Sequence, residues 1–166
     1  MKRAGTLQPP DTHHLSSAIG WIELGDLVEA TLDLGRISPA SRVLPDVLEV
    51  HWQIHAKTME WDKCAAVARQ TTLAAPEDAF GWIHLSFALH ELKSTQAAYD
   101  NLAGVLDEFP EEWLMRYNLA CYSCQLGNLD EAKQWLTEAR RKGGAKQIKS
   151  MASDDPDLAP LFQAEK

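Results

Sequence analysis

Cys121 and Cys124, in the run Cys121-Tyr122-Ser123-Cys124, are the side chains with the most chemistry available to them. Thiols three residues apart on a helix share one face, one turn from each other, where they can hold a soft metal ion or exchange a disulfide. His90 on the neighbouring helix, and His55 one block earlier, could add imidazole ligands. The set is incomplete for either task. Structural zinc takes four ligands, commonly two cysteine pairs, and a redox pair normally sits at a helix N-terminus that lowers its thiol pKa. His51 and His55 are four apart, yet no glutamate or third ligand completes a zinc-protease pattern. No G-x-S-x-G, phosphate-cradling glycine loop or glycosidase-like arrangement is present either. Cysteine is also a common small packing residue. The chain is therefore expected to be no enzyme, with no cofactor and no metal. A metal or thiol sensor built on Cys121, Cys124 and His90 is the least favoured alternative.

The elements that must position these residues show in a recurrence. Leu24-Gly25-Asp26-Leu27-Val28-Glu29-Ala30 returns as Leu126-Gly127-Asn128-Leu129-Asp130-Glu131-Ala132, three steps of 34 residues later. The intermediate steps hold as well. Ala30, Cys64, Ala98 and Ala132 form one row of small residues, and Leu34, Ala68, Leu102 and Leu136 a second, apolar row. Ile37, Thr71, Val105 and Ala139 form a third, while Pro76 and Pro110 share a fourth with Gly144. Rows four and three residues apart trace one face of a helix, and small residues let two helices approach closely. A period of this length marks stacked helix-turn-helix units, none of which buries its apolar face alone.

The resulting blocks are 11–44, 45–78, 79–112 and 113–146, followed by 147–166 as a capping helix and tail. Residues 1–10 read as a flexible N-terminal tail. The fourth block carries Tyr117-Asn118-Leu119-Ala120, Leu126-Gly127-Asn128, Asp130-Glu131-Ala132 and Ala139; the third carries Trp82, Leu85, Ser86, Ala98, Leu102 and Pro110. These residues resemble the tetratricopeptide (TPR) repeat. The resemblance implies an all-α fold, a right-handed superhelical solenoid of antiparallel helix pairs. In the second block Trp52 stands where the family keeps a small residue, which allows a one-residue shift of its first helix. Asp26, Asp62, Ser94 and Asn128 are the expected caps of the second helices. Beyond Gly143-Gly144, the stretch Lys146–Ala152 reads as a short helix broken by Asp155-Pro156. Leu158, Leu161 and Phe162 are then expected to fold back on the last block, as the open end of a solenoid requires.

The resemblance also implies a site. In this family the first helix of each pair lines a concave groove that takes peptides. The groove positions here are Leu15, Ile19 and Ile22; Gln53, Ala56 and Lys57; Phe80, Ile83, Phe87, His90 and Glu91; and Leu114, Tyr117, Cys121, Cys124 and Gln125. This surface is apolar and aromatic, which marks an interaction site. The positions of the family's carboxylate clamp hold Leu15, Ile19, Glu49, Gln53, Phe80 and Leu114, with only Asn118 resembling a clamp residue. An apolar or mixed peptide, or a helix, is therefore expected in preference to an acidic C-terminal tail. The function implied is a non-catalytic scaffold that binds a protein segment. A second copy of the chain, or the protein's own C-terminal segment, would cover the same residues.

Composition agrees. The 166 residues carry a net charge of −8, which argues against nucleic acid as the partner. There is no apolar run long enough for a membrane span, and the opening residues Met1–Pro10 lack the apolar centre expected of a signal peptide. Three cysteines favour a reducing cytoplasm over a disulfide framework. Length and hydrophobic content suffice for one domain with a continuous core. Trp61, Trp82 and Trp135 fall on packing positions, whereas Trp113 is the tryptophan expected at the surface.

Overall fold

The computed structural model describes residues 6–163. Among them the chain forms ten α-helices and no strand. Four pairs come first: α1 (Asp11–Leu24) with α2 (Leu27–Arg36), α3 (Pro45–Lys57) with α4 (Trp61–Ala74), α5 (Ala79–Glu91) with α6 (Thr95–Ala103), and α7 (Trp113–Gln125) with α8 (Leu129–Gly143). Then come α9 (Ala145–Asp154) and α10 (Ala159–Gln163). The first helices begin at residues 11, 45, 79 and 113 and the second at 27, 61, 95 and 129. The second block is therefore not shifted.

Contacts divide the chain into two compact units, Met1–His84 and Leu85–Lys166, with the division inside α5. In the N-terminal unit α1 packs on α2 and α3, and α3 on α4. Its core holds Leu15, Ala18 and Ile22 from α1, Ala30 and Leu34 from α2, Ile37, and Val47, Val50 and Ile54 from α3. Within each helix these stand three or four apart, the spacing that turns one apolar stripe inward. Leu7 is packed against this cluster, so the expected flexible tail contributes an apolar residue to the core. The rest of that tail, residues 1–5, lies outside the described residues, as do 164–166 at the other end. In the C-terminal unit α7 packs on α6 and α8, and α8 on α9. Ser86 there donates to the Ala98 carbonyl at 2.9 Å, tying α5 to α6. The small row is fully inside: Ala30, Cys64, Ala98 and Ala132 are each 0% exposed.

One backbone device recurs at the turn inside every pair. Gly25 (φ 83°), Met59 (φ 56°), Lys93 (φ 63°) and Gly127 (φ 84°) all take the left-handed conformation, and they stand 34 residues apart. Glycine adopts it freely, whereas a side chain there costs about 1–2 kcal/mol. Met59 is 73% exposed, so its side chain contributes little packing in return. Met59→Gly and Lys93→Gly are each expected to stabilise the chain by about 0.5–1 kcal/mol after the entropy of the unfolded glycine is set against the relieved strain. Urea unfolding midpoints measure this. Unchanged or lower midpoints would mean that these turns carry no strain.

The caps differ in detail from the sequence reading. Asp26 accepts the Glu29 N–H at 3.1 Å, as a capping side chain should. Asp62 lies inside α4, whose N-cap is Glu60. Ser94 and Asn128 stand at N-cap positions without a capping hydrogen bond. Glu131, three residues after Asn128, accepts from Tyr99 (2.6 Å) and Ser123 (3.0 Å). A buried hydroxyl without a partner is costly, and those two draw the carboxylate inward.

Candidate peptide-binding surface

Several of the expected groove residues are buried within their own unit. In the N-terminal unit Leu15 and Ile22 belong to the core and Ile83 is 9% exposed. The α1 stripe that contains Leu15 and Ile22 is closed against α2 and α3, so these two are packing residues rather than groove lining. Ile19 is 41% exposed and Lys57 is exposed, while Gln53 is half-buried with its amide 3.2 Å from the Glu49 carboxylate. Phe80 is half-buried and packs against His84, ring centroids 3.7 Å apart; Trp52 meets the same imidazole at 3.7 Å. Sequence reasoning missed His84 and took Trp52 only as a departure from pattern. Burial in this aromatic surround lowers the His84 pKa to about 4.

In the C-terminal unit the remaining candidates gather at one place, and it is filled. Beyond α9 the chain turns at Asp155-Pro156 and runs back along α7 through Leu158 and Leu161, which are 0% and 2% exposed. Tyr117 on α7 donates to Asp155 Oδ2 at 2.7 Å, and the Cys121 thiol lies 3.6 Å from the same oxygen. His90 at the end of α5 has Nε2 3.1 Å from Asp157 Oδ2 and Nδ1 3.0 Å from the Thr95 hydroxyl. With the Nε2 proton directed to the carboxylate, Nδ1 accepts from Thr95, so both ring nitrogens are satisfied. Gln125 donates to the Asp157 carbonyl at 2.9 Å. Tyr117, Cys121 and Cys124 thus lie under the chain's own C-terminal segment, and of the set on this face Phe87 keeps 38% of its surface exposed. The two leucines were legible as a fold-back. The carboxylates were missed, because an acidic residue after a helix ordinarily reads as solvated.

The cover sets the chemistry beneath it. Burial, with Asp155 beside them, pushes the Tyr117 hydroxyl and the Cys121 thiol upward in pKa, and burial does the same to Cys124. Cys64, in the N-terminal unit, is pushed up to about 11 by burial. A protonated buried thiol is a poor nucleophile and a poor metal ligand. All three cysteines are free. Among the described residues no group of three His, Cys, Asp or Glu side chains is placed to hold a metal ion. His90, the third member of the candidate sensor, is engaged by Asp157.

No protein-family model matches the sequence, and no curated protein does. Solved structures do match. A Pseudomonas aeruginosa pilF structure superposes with TM-score 0.74 at 19% identity, over 93% of this chain and 68% of that one. A double mutant of MamA RS-1 gives TM-score 0.69 at 15% identity, over 90% of this chain and 80% of that one. YrrB, described as a TPR protein with an unusual peptide-binding site, gives 0.64 at 11% identity, over 90% and 81%. These proteins share one architecture of tandem helix pairs. The chain has the tetratricopeptide fold. Identities this low establish the TPR architecture and leave its ligand to be argued from the residues themselves. In TPR terms the occupied face consists of first-helix positions on α5 and α7, the positions assigned to the groove from sequence. No helix among the described residues is long and apolar enough to cross a membrane.

Proposed function

We propose that this chain is a non-catalytic protein-interaction scaffold, whose first-helix surfaces hold a segment of a partner protein. One observation carries the reading. A peptide segment already lies on such a surface, gripped by Tyr117, His90 and Gln125 through its carboxylates and backbone and by apolar contact through Leu158 and Leu161. That its occupant is the chain's own segment 155–161 supports a peptide as the kind of object this face accommodates. The fold supports the same view, since a TPR neighbour, YrrB, is described by its peptide-binding site. The four blocks 11–44, 45–78, 79–112 and 113–146 are then the units that present these surfaces. Within the N-terminal unit Ile19, Gln53, Lys57 and Phe80 are the accessible side chains, and in the C-terminal unit, taken by itself, Phe87 stands beside the filled face.

The test is a pull-down with wild-type and Phe87→Glu baits side by side. Phe87 is 38% exposed, so a carboxylate there is expected to leave the helices intact by circular dichroism. Loss of a captured protein with the variant, by at least tenfold, is the expected result. Identical capture by both baits would remove this surface from recognition, and a concentration-dependent mass for the chain alone would favour self-association instead.

A further inference from the structure

The C-terminal segment is bound through more than its leucines. A cap that only shielded the last helix pair from water would need apolar cover alone. Here both carboxylates of Asp155-Pro156-Asp157 are read individually. Asp155 Oδ2 takes the Tyr117 hydroxyl at 2.7 Å and lies 3.6 Å from the Cys121 thiol, while Asp155 Oδ1 takes the Asp157 N–H at 2.9 Å. That last bond fixes the Pro156 turn and sets the second carboxylate relative to the first. Asp157 Oδ2 then meets His90 Nε2 at 3.1 Å, and its carbonyl receives the Gln125 amide at 2.9 Å. The donors are a phenol, a thiol, an imidazole and an amide. Such donors position an anion by direction and distance more than by bulk charge, so they discriminate between sequences.

We propose that this α5–α7 face recognises an acidic-apolar segment, with two carboxylates two residues apart and apolar side chains one and four residues after the second. Residues 155–161 are its resident copy, and a partner protein carrying the same pattern binds by displacing them. The proposal rests on the scaffold reading above and names the chemistry of its partner. It also explains why Tyr117 and Cys121, polar groups at first-helix positions, are 4% and 5% exposed in the chain by itself. A tethered ligand works at an effective concentration on the order of millimolar, so an incoming segment competes at a disadvantage until the resident copy is released.

The experiment uses the full chain with Leu158→Asp and Leu161→Asp together, and a fluorescent synthetic peptide of residues 153–163 as probe. The peptide is expected to bind this variant at least tenfold more tightly than wild type. A peptide with Asp155→Asn and Asp157→Asn should bind it at least tenfold more weakly. Maleimide labelling gives an independent readout. Cys121 and Cys124 become reactive in the variant and are protected again by the peptide, while Cys64, 0% exposed in the other unit, stays protected throughout. If the double variant loses its helical circular dichroism, full-length Asp155→Asn with Asp157→Asn, which keeps the leucines, takes its place under the same criteria.

A folded variant that binds the peptide no better than wild type overturns the proposal, and so does equal binding of the asparagine peptide. The segment is then a structural cap. A variant that dimerises at micromolar concentration and excludes the peptide also overturns it, in favour of a second copy as occupant. None of these results touches the scaffold reading, which stands or falls with the Phe87→Glu pull-down.

Discussion

Between pH 7 and pH 4 the N-terminal unit is expected to lose roughly 3 kcal/mol of stability at a single histidine, His84. Its imidazole is held between Trp52 and Phe80, and its Nδ1 is buried without a hydrogen-bond partner among the described residues. Burial in that surround disfavours the imidazolium and lowers the pKa from 6.5 to about 4. The unfolded chain therefore binds a proton through the interval in which the folded chain does not. Stability rises with pH wherever the unfolded state holds more protons, so the contribution is complete above pH 6.5 and is lost as pH falls toward 4. Glu49, whose pKa burial raises, works in the opposite direction over acidic pH, so the wild-type curve alone does not isolate the histidine. His84→Phe does. It keeps a flat ring between Trp52 and Phe80 and removes the titrating group, and the difference between the two urea-midpoint curves should flatten above pH 6.5 and change by roughly 2–3 kcal/mol below it. Parallel curves would show that His84 titrates normally and that the surround is open to water.

Gly143→Ala should destabilise the C-terminal unit by about 2 kcal/mol, against the helix-propensity rule. Gly143 is the last residue of α8, and alanine in a helix is ordinarily favoured over glycine by about 1 kcal/mol. The surroundings reverse the sign. A Cβ at Gly143 would overlap Trp113 Cγ and would stand 2.6 Å from Trp113 Cδ2 and 2.9 Å from Ile148 Cδ1. Trp113 Cγ is one bond from its own Cβ, so it yields only through an off-rotamer χ1 or a shift of the first turn of α7, and either costs energy. Overpacking of this kind costs about 1–3 kcal/mol and outweighs the propensity gain. Gly20→Ala, in α1 with nothing within 4 Å of the new Cβ, is the matched control and should stabilise by up to about 1 kcal/mol. Thermal melts of the two variants should move in opposite directions. A stabilised Gly143→Ala would mean that Trp113 moves freely.

That pair of glycines shows where sequence reasoning stops. Gly143 reads correctly as a helix end, and the doubled glycine with Arg140, Arg141 and Lys142 before it locates the end of α8 to the residue. Nothing in the one-dimensional pattern says that Trp113, 30 residues earlier, is the ring this glycine admits. Trp113 read as the surface tryptophan because it opens its block, and it is half-buried for a reason that is purely spatial. Trp52 and His84 are a similar case. Each is an oddity in its own helix, and they become one feature only when α3 lies beside α5.

The candidate site divides along the same line. The period placed Tyr117, Cys121, Cys124 and Gln125 on one face of α7 and His90 near the end of α5, because a helix repeats every 3.6 residues and the pairs repeat every 34. Those positions were legible. Whether they were open was not. Leu15 and Ile22 satisfy the same spacing and are core, since a stripe wider than one neighbour can cover is divided between groove and interior by packing alone.

By itself, then, the sequence determined the local and the periodic. It set two series of four helix starts, each repeating every 34 residues, the small and apolar rows that let the pairs close, the turn position that twice became glycine, and a C-terminal segment with leucines to bury. Those follow from hydrogen bonding and burial within a few dozen residues. Tertiary structure decided which of several equivalent apolar faces is covered, and by what. It laid Asp155 and Asp157 on donors 38 and 67 residues away, and it closed Trp52 and Phe80 over His84. Contacts so distant in sequence depend on the summed geometry of every turn between them, which no local pattern encodes.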